Sequence, residues 1–283
     1  MRARATYRAD DINLRVSAQS LEGSFKADGS AQIAGVRQSL RIATRRRGAN
    51  GIRVKAEIQL TDIAATLQTD GLLGQEDGKP IYDGGFTAQS VADVANGQGE
   101  GSAATLEPQV KLWRSEGSFS LNPGALEVDK ASLRYGPEDR AVRIDGDGRV
   151  DFGATPSFTA RLSGKQLDLD RFSGAGPSEP LSIKGGAEAL IAVIKALPLP
   201  PIPGLFKLDL PALVVAGGLA QDIHLEAETL PRGWKIADLE ARLPGQTTVS
   251  GRGELRSADE PAFSGQVRID SPATFRLRLM VAT

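Results

Sequence analysis

GIRVKAEIQL, residues 51–60, places Ile52, Val54, Ala56, Ile58 and Leu60 at alternate positions, with Arg53, Lys55, Glu57 and Gln59 between them. Side chains of a β-strand point to opposite faces in turn, so this stretch reads as a strand with one dry face and one wet face. A strand wet on one side belongs to an antiparallel sheet, since parallel strands are usually covered on both.

The same alternation recurs along the chain. It appears at Ile12, Leu14, Val16; at Phe158, Ala160, Leu162; at Phe206, Leu208, Leu210; at Ile223, Leu225, Ala227; and at Phe263, Gly265, Val267, Ile269. Turn signals fall between these runs: ADG near 28, NPG at 122, YGP at 135, DGDG at 145 and LPRG at 230. Many short strands separated by turns predict an all-β chain.

One hairpin is written twice. GDGRVDFGATPSFTARLSG, residues 146–164, is echoed by GRGELRSADEPAFSGQVRI, residues 251–269. Gly146, Gly148, Val150, Pro156, Phe158 and Leu162 recur as Gly251, Gly253, Leu255, Pro261, Phe263 and Val267. Phe158 and Phe263 are therefore expected early in equivalent strands, both on the apolar face. A looser third copy runs from TDGLLGQ to GGFTAQS, with Gly71, Leu73 and Phe86. Repeated hairpins add strands to a growing sheet, and nothing in that process closes it. AEALIAVIKAL, residues 187–197, breaks the pattern with Leu190, Val193, Ile194 and Leu197 at helical spacing. PLPPIPG stops that helix, and AQSVADVA, about 88–95, is a second helical candidate.

Composition narrows the function. The chain has 283 residues, 40% hydrophobic and 24% charged, enough for a sizeable core. Its 34 basic and 35 acidic residues leave a formal charge of −1, no footprint for nucleic acid. With no cysteine, disulfides and thiolate metal sites are excluded. MRARATYRADD lacks the apolar core of a signal peptide, and no apolar run is long enough for a spanning helix.

Catalytic and metal-binding signals are sparse. His224, the single histidine, lies between Ile223 and Leu225 and is expected on the opposite, wet face. One histidine without cysteine does not complete a zinc site, and no G-x-S-x-G elbow is present. Asp145, Asp147 and Asp151 sit among glycines like a calcium loop, but the bidentate acid that closes such a loop is missing; a hairpin turn fits them better. Asp168 and Asp170, between leucines, are expected on the wet face; a paired-acid glycosidase needs a partner and a cleft besides. Arg45–Arg47 in TRRRGAN fall short of the basic cluster that marks a lipid-headgroup site. No metal, cofactor or catalytic residue is assigned.

LVVAGGLAQDIHLEAETLPRGWKIADLEARLPGQTTVSGRGELRSADEPAFSGQVRID resembles the C-terminal part of bacterial AsmA-like proteins, which show "GG", a G-W strand, "LPG", "G-x-L" and "F-x-G" in this order. FTARLSGKQLDLDRF resembles the strand-plus-"LDLDR" phrase of the same family. The resemblance spans about residues 117–270. It implies an elongated, twisted and curved antiparallel sheet, a β-groove with an apolar trough and one or two short helices. It also implies a periplasmic protein held to the inner membrane by an N-terminal helix and implicated in phospholipid transport and outer-membrane biogenesis. No such anchor segment is visible here, so the chain is expected to be a fragment.

A trough can hide its apolar face with acyl chains, each buried methylene contributing roughly 0.8 kcal/mol. The expected lining is Ile52, Val54, Ile58, Leu60, Phe158, Leu162, Phe263 and Val267, with phospholipid acyl chains as partner and no enzymatic role. The alternative is a structural or adhesive all-β scaffold with a filled interior and no lipid ligand. Three blocks are expected, 1–104, 105–180 and 181–283, the last beginning with the helix.

Overall fold

A computed structural model describes residues 9–18, 24–33, 36–46, 51–61, 64–90, 113–136, 141–172, 181–182, 184–186, 188, 200, 202–256, 262–272 and 277–281. The chain is nearly all β, as the alternation predicts. It divides into two compact units, residues 1–123 with 135–137, and 124–134 with 138–283. The blocks read from the sequence at 105–180 and 181–283 thus fall mostly in the second.

The first unit is an antiparallel meander of β1 (Ala9–Ala18), β2 (Phe25–Ile33), β3 (Val36–Arg46), β4 (Ile52–Leu60), β5 (Ala65–Glu76), β6 (Lys79–Ser90) and β7 (Trp113–Leu121). Each strand pairs with the next. Two expectations are corrected here. ADG near 28 is no turn: Gly29 lies within β2, where a Cβ would stand 2.1 Å from the Asn13 carbonyl of β1. Residues 88–90 of the candidate helix are the end of β6; the rest of that candidate lies outside the described residues.

The second unit holds β8 (Ala125–Tyr135) up to its last residue, then β9 (Val142–Asp151), β10 (Ser157–Ser163), β11 (Leu167–Asp168), the short helix α1 (Leu169–Phe172), β12 (Gly204–Val215), β13 (Gly218–Leu230), β14 (Gly233–Leu243), β15 (Thr247–Arg256), β16 (Ala262–Asp270) and β17 (Leu277–Val281). Antiparallel pairing joins β9 to β10, and each strand from β12 to β16 to its successor. The exception to antiparallel order is β12, which lies parallel to both β10 and β11. Phe158 pairs with Gly204, Ser163 with Asp209 and Leu167 with Leu213, a constant offset, so β10 and β11 are one strand line interrupted at 164–166. A parallel neighbour needs a crossover, and the segment from α1 to β12 supplies it.

LDLDRF anchors that crossover. Asp168 Oδ1 accepts the Arg171 N–H at 2.8 Å, capping α1. Asp170, 5% exposed, accepts the N–H groups of Ala216 at 2.8 Å and Gly217 at 2.7 Å in the β12–β13 turn. Asp170 is therefore buried, not on the wet face as expected. Helical residues appear at 184–186, ahead of the expected start at 187, and at 188 within the expected span. Ser182 starts them, its hydroxyl accepting the Gly185 N–H at 3.0 Å. Apart from 188, the expected helix lies outside the described residues.

The echo is a repeat in register. Gly146 pairs with Leu162, Gly148 with Ala160 and Val150 with Phe158; Gly251 pairs with Val267, Gly253 with Gly265 and Leu255 with Phe263. Both phenylalanines are second in their strands and half-buried. DGDG at 145 is thus the middle of β9, not a turn. The third copy also exists, but its aromatic is Tyr82. Tyr82 pairs with Leu73 and Gly84 with Gly71, matching Phe263 with Leu255 and Gly265 with Gly253; Phe86 pairs with Thr69 and takes the place of Val267.

Candidate functional site

Residues directly opposite on neighbouring strands share a face, so the register defines the faces without further assumption. In the first unit, one row runs Leu40, Ile58, Leu67, Ala88. The next runs Val16, Ala27, Ile42, Ala56, Thr69, Phe86, and another Thr44, Val54, Gly71, Gly84, Phe119. A fourth takes in Ile52, Leu73, Tyr82 and Leu121. The face is apolar from β1 to β7. All four residues expected there, Ile52, Val54, Ile58 and Leu60, stand on it together.

This face is incompletely covered. Ile52 is 38% exposed, Leu14 52% and Val16 58%. Val54, Ile58 and Leu60 are half-buried. Among the described residues no large side chain is fully buried. Where the face is tightest, glycine makes room for an aromatic ring. A Cβ on Gly71 would lie 2.6 Å from the Tyr82 ring, whose edge meets Phe119 at 5.0 Å between centroids.

The second unit repeats the arrangement. One row reads Val150, Phe158, Gly204; continuing across β13 to β16 are Thr229, Trp234, Leu255 and Phe263. Another reads Gly146, Leu162, Leu208, Leu225, Leu239, Gly251, Val267. Phe158 and Phe263 thus belong to one face with Leu162 and Val267. The Phe158 ring overlies Gly204, where a Cβ would stand 2.2 Å from it. Trp234 is 7% exposed and meets Phe206 at 5.9 Å between ring centroids. Sequence reasoning passed over Trp234 as a lining residue, although the two-residue step to Ile236 signals the same face.

The opposite faces carry the charge. Asp70 receives Arg53 at 2.7 Å and Lys55 at 3.0 Å. The Arg53 hydrogen bond is the main cause that holds its carboxyl down at about 2. Asp145, Asp147 and Asp151 each meet an arginine, Arg143, Arg161 and Arg149, at 3.1, 3.0 and 2.8 Å. The calcium-like spacing is therefore a set of ion pairs along β9 and β10. His224 lies on the charged face as expected, its Nδ1 2.6 Å from Asp209 Oδ1. That hydrogen bond is the largest cause raising its pKa above 6.5, opposed by partial burial and aided by the charges of Asp209, Glu226 and Asp238. Among the described residues no group of three His, Cys, Asp or Glu side chains is placed to hold a metal ion. Two hollows of about 440 and 510 Å³ open in the first unit. Ile52, Val54, Ile58 and Leu60 line neither. Among the described residues no helix is long and apolar enough to cross a membrane.

Compared with known protein families, curated proteins and solved structures, the chain matches none.

Proposed function

We propose that this chain is a lipid-handling segment of AsmA-like type, whose apolar sheet faces hold phospholipid acyl chains. The observation that carries the reading is the apolar face of the first unit, in register across seven strands and still exposed by a third or more at Leu14, Val16, Ile52 and Leu73. Water bounds such a face at a cost proportional to its area, and an exposed patch of this kind marks a binding surface. Acyl chains suit it because they are apolar along their length and adapt to a surface lined by Leu, Ile, Val and Phe. The sequence resemblance over about 117–270 supports lipid over a protein partner. On this reading the chain works in the periplasm, as part of a protein held to the inner membrane, in phospholipid transport and outer-membrane biogenesis. The task needs binding and release, and no bond is made or broken.

Native mass spectrometry of the chain, exported to a bacterial periplasm and purified under mild conditions, tests this. The expected result is phospholipid retained on the folded protein. Folded protein that carries no phospholipid, and takes none from vesicles, leaves the scaffold alternative in its place.

A further inference from the structure

On the apolar face of the second unit stands one polar group with nothing to bind. Trp234 Nε1 is buried and, among the described residues, is the one buried side-chain polar atom without a hydrogen-bond partner. Buried indole N–H groups normally find an acceptor, because leaving one unmade forfeits its hydration. The surroundings explain the lack. Across the sheet Trp234 faces Leu255 on β15 and Thr229 on β13, and its ring lies against Phe206. The Thr229 hydroxyl already accepts the Gly204 N–H at 2.8 Å. The other neighbours of its row, Phe158, Gly204 and Phe263, offer no side-chain acceptor. A phenylalanine would fill the same place without the unmet donor.

We infer that Trp234 is the polar anchor of this face, donating its Nε1–H to the ester carbonyl at the head of a phospholipid acyl chain. The inference rests on the acyl-chain reading and adds the part of the lipid that is recognised. An ester carbonyl is an acceptor without charge, the kind of group an apolar face can take in once its one donor is met. It also lies next to the start of the hydrocarbon, so one bond to it sets the chain's position along the strands while Phe158, Leu162 and Val267 meet the methylenes. Because Nε1 is covered by its neighbours, seating the carbonyl requires the side chains around Trp234 to part.

Diester and diether phosphatidylglycerol of equal chain length separate this from the broader reading, since the ether lacks only the carbonyls. Offered in competition to the full chain and read by native mass spectrometry, the diester should be preferred by roughly three- to tenfold, what one hydrogen bond supplies. Trp234→Phe should abolish the preference. In tryptophan-labelled protein the Trp234 indole N–H resonance should move downfield with the diester and not with the diether. Equal binding of the two lipids by the unmodified chain, with an unmoved indole resonance, overturns the anchor and leaves acyl-chain binding standing. Binding of neither lipid overturns both. The comparison on the unmodified chain holds even where Trp234→Phe fails to fold.

Discussion

Gly148 and Gly253 occupy one position in two copies of a hairpin, yet the space around them differs. Gly253 faces Gly265, and an added Cβ would meet the Ser264 carbonyl at 2.4 Å and the Gly265 Cα at 2.6 Å. Gly148 faces Ala160, and a Cβ there would find its nearest atom at 3.2 Å. Gly253→Ala should therefore destabilise by about 1–3 kcal/mol, as overpacking does, and Gly148→Ala by under about 1 kcal/mol. Urea midpoints of the two variants measure the contrast, and equal shifts would show that the paired glycines serve no close approach. The single histidine gives a second residue-scale outcome. His224 should titrate above 6.5 by NMR, and Asp209→Asn should bring it back toward that value. Since the folded value is the raised one, the stability it contributes is full below about pH 6.5 and is lost as pH rises through the folded value. A His224 midpoint unchanged by Asp209→Asn would remove the Asp209 bond as the cause.

At the scale of elements, the crossover between β11 and β12 depends on two aspartates with unequal duties. Asp170 satisfies two amides of the β12–β13 turn from a buried position, so Asp170→Ala should cost about 2–4 kcal/mol. Asp168 caps a four-residue helix near the surface, and Asp168→Ala should cost about 1 kcal/mol. Hydrogen exchange at Ala216 and Gly217 should quicken in the first variant and not in the second; unchanged exchange in both would refute the clamp. Elements differ in how well the sequence foretold them for related reasons. GIRVKAEIQL and the doubled hairpin were legible because period two and register are local properties. Asp170 was misplaced because its partners lie 46 and 47 residues further on. ADG and DGDG were misread as turns because glycine serves turns and close strand approaches alike, and only the neighbouring strand decides. The parallel pairing of β10 with β12 had no local sign at all.

For the molecule as a whole, the account turns on what covers the apolar faces. Period two puts Ile52, Val54, Ile58 and Leu60 on one apolar face, the doubled hairpin puts Phe158, Leu162, Phe263 and Val267 at equivalent apolar positions, and the expectation that all eight line one trough comes from the family resemblance. The unmet donor of Trp234 was not readable, because it follows from the acceptors its neighbours lack and not from its own position in LPRGWK. Ile58→Asp should abolish lipid retention, since a carboxylate on that face loses hydration without a partner. Lys55→Ala should leave retention intact, because Lys55 is 64% exposed on the charged face. The most direct measurement places a photo-crosslinking residue at position 58 in one variant and at 55 in another, each folded and prepared from membranes. The acyl-chain account predicts lipid captured at 58 and none at 55. Equal capture at both positions, or none at either in the folded protein, would contradict it.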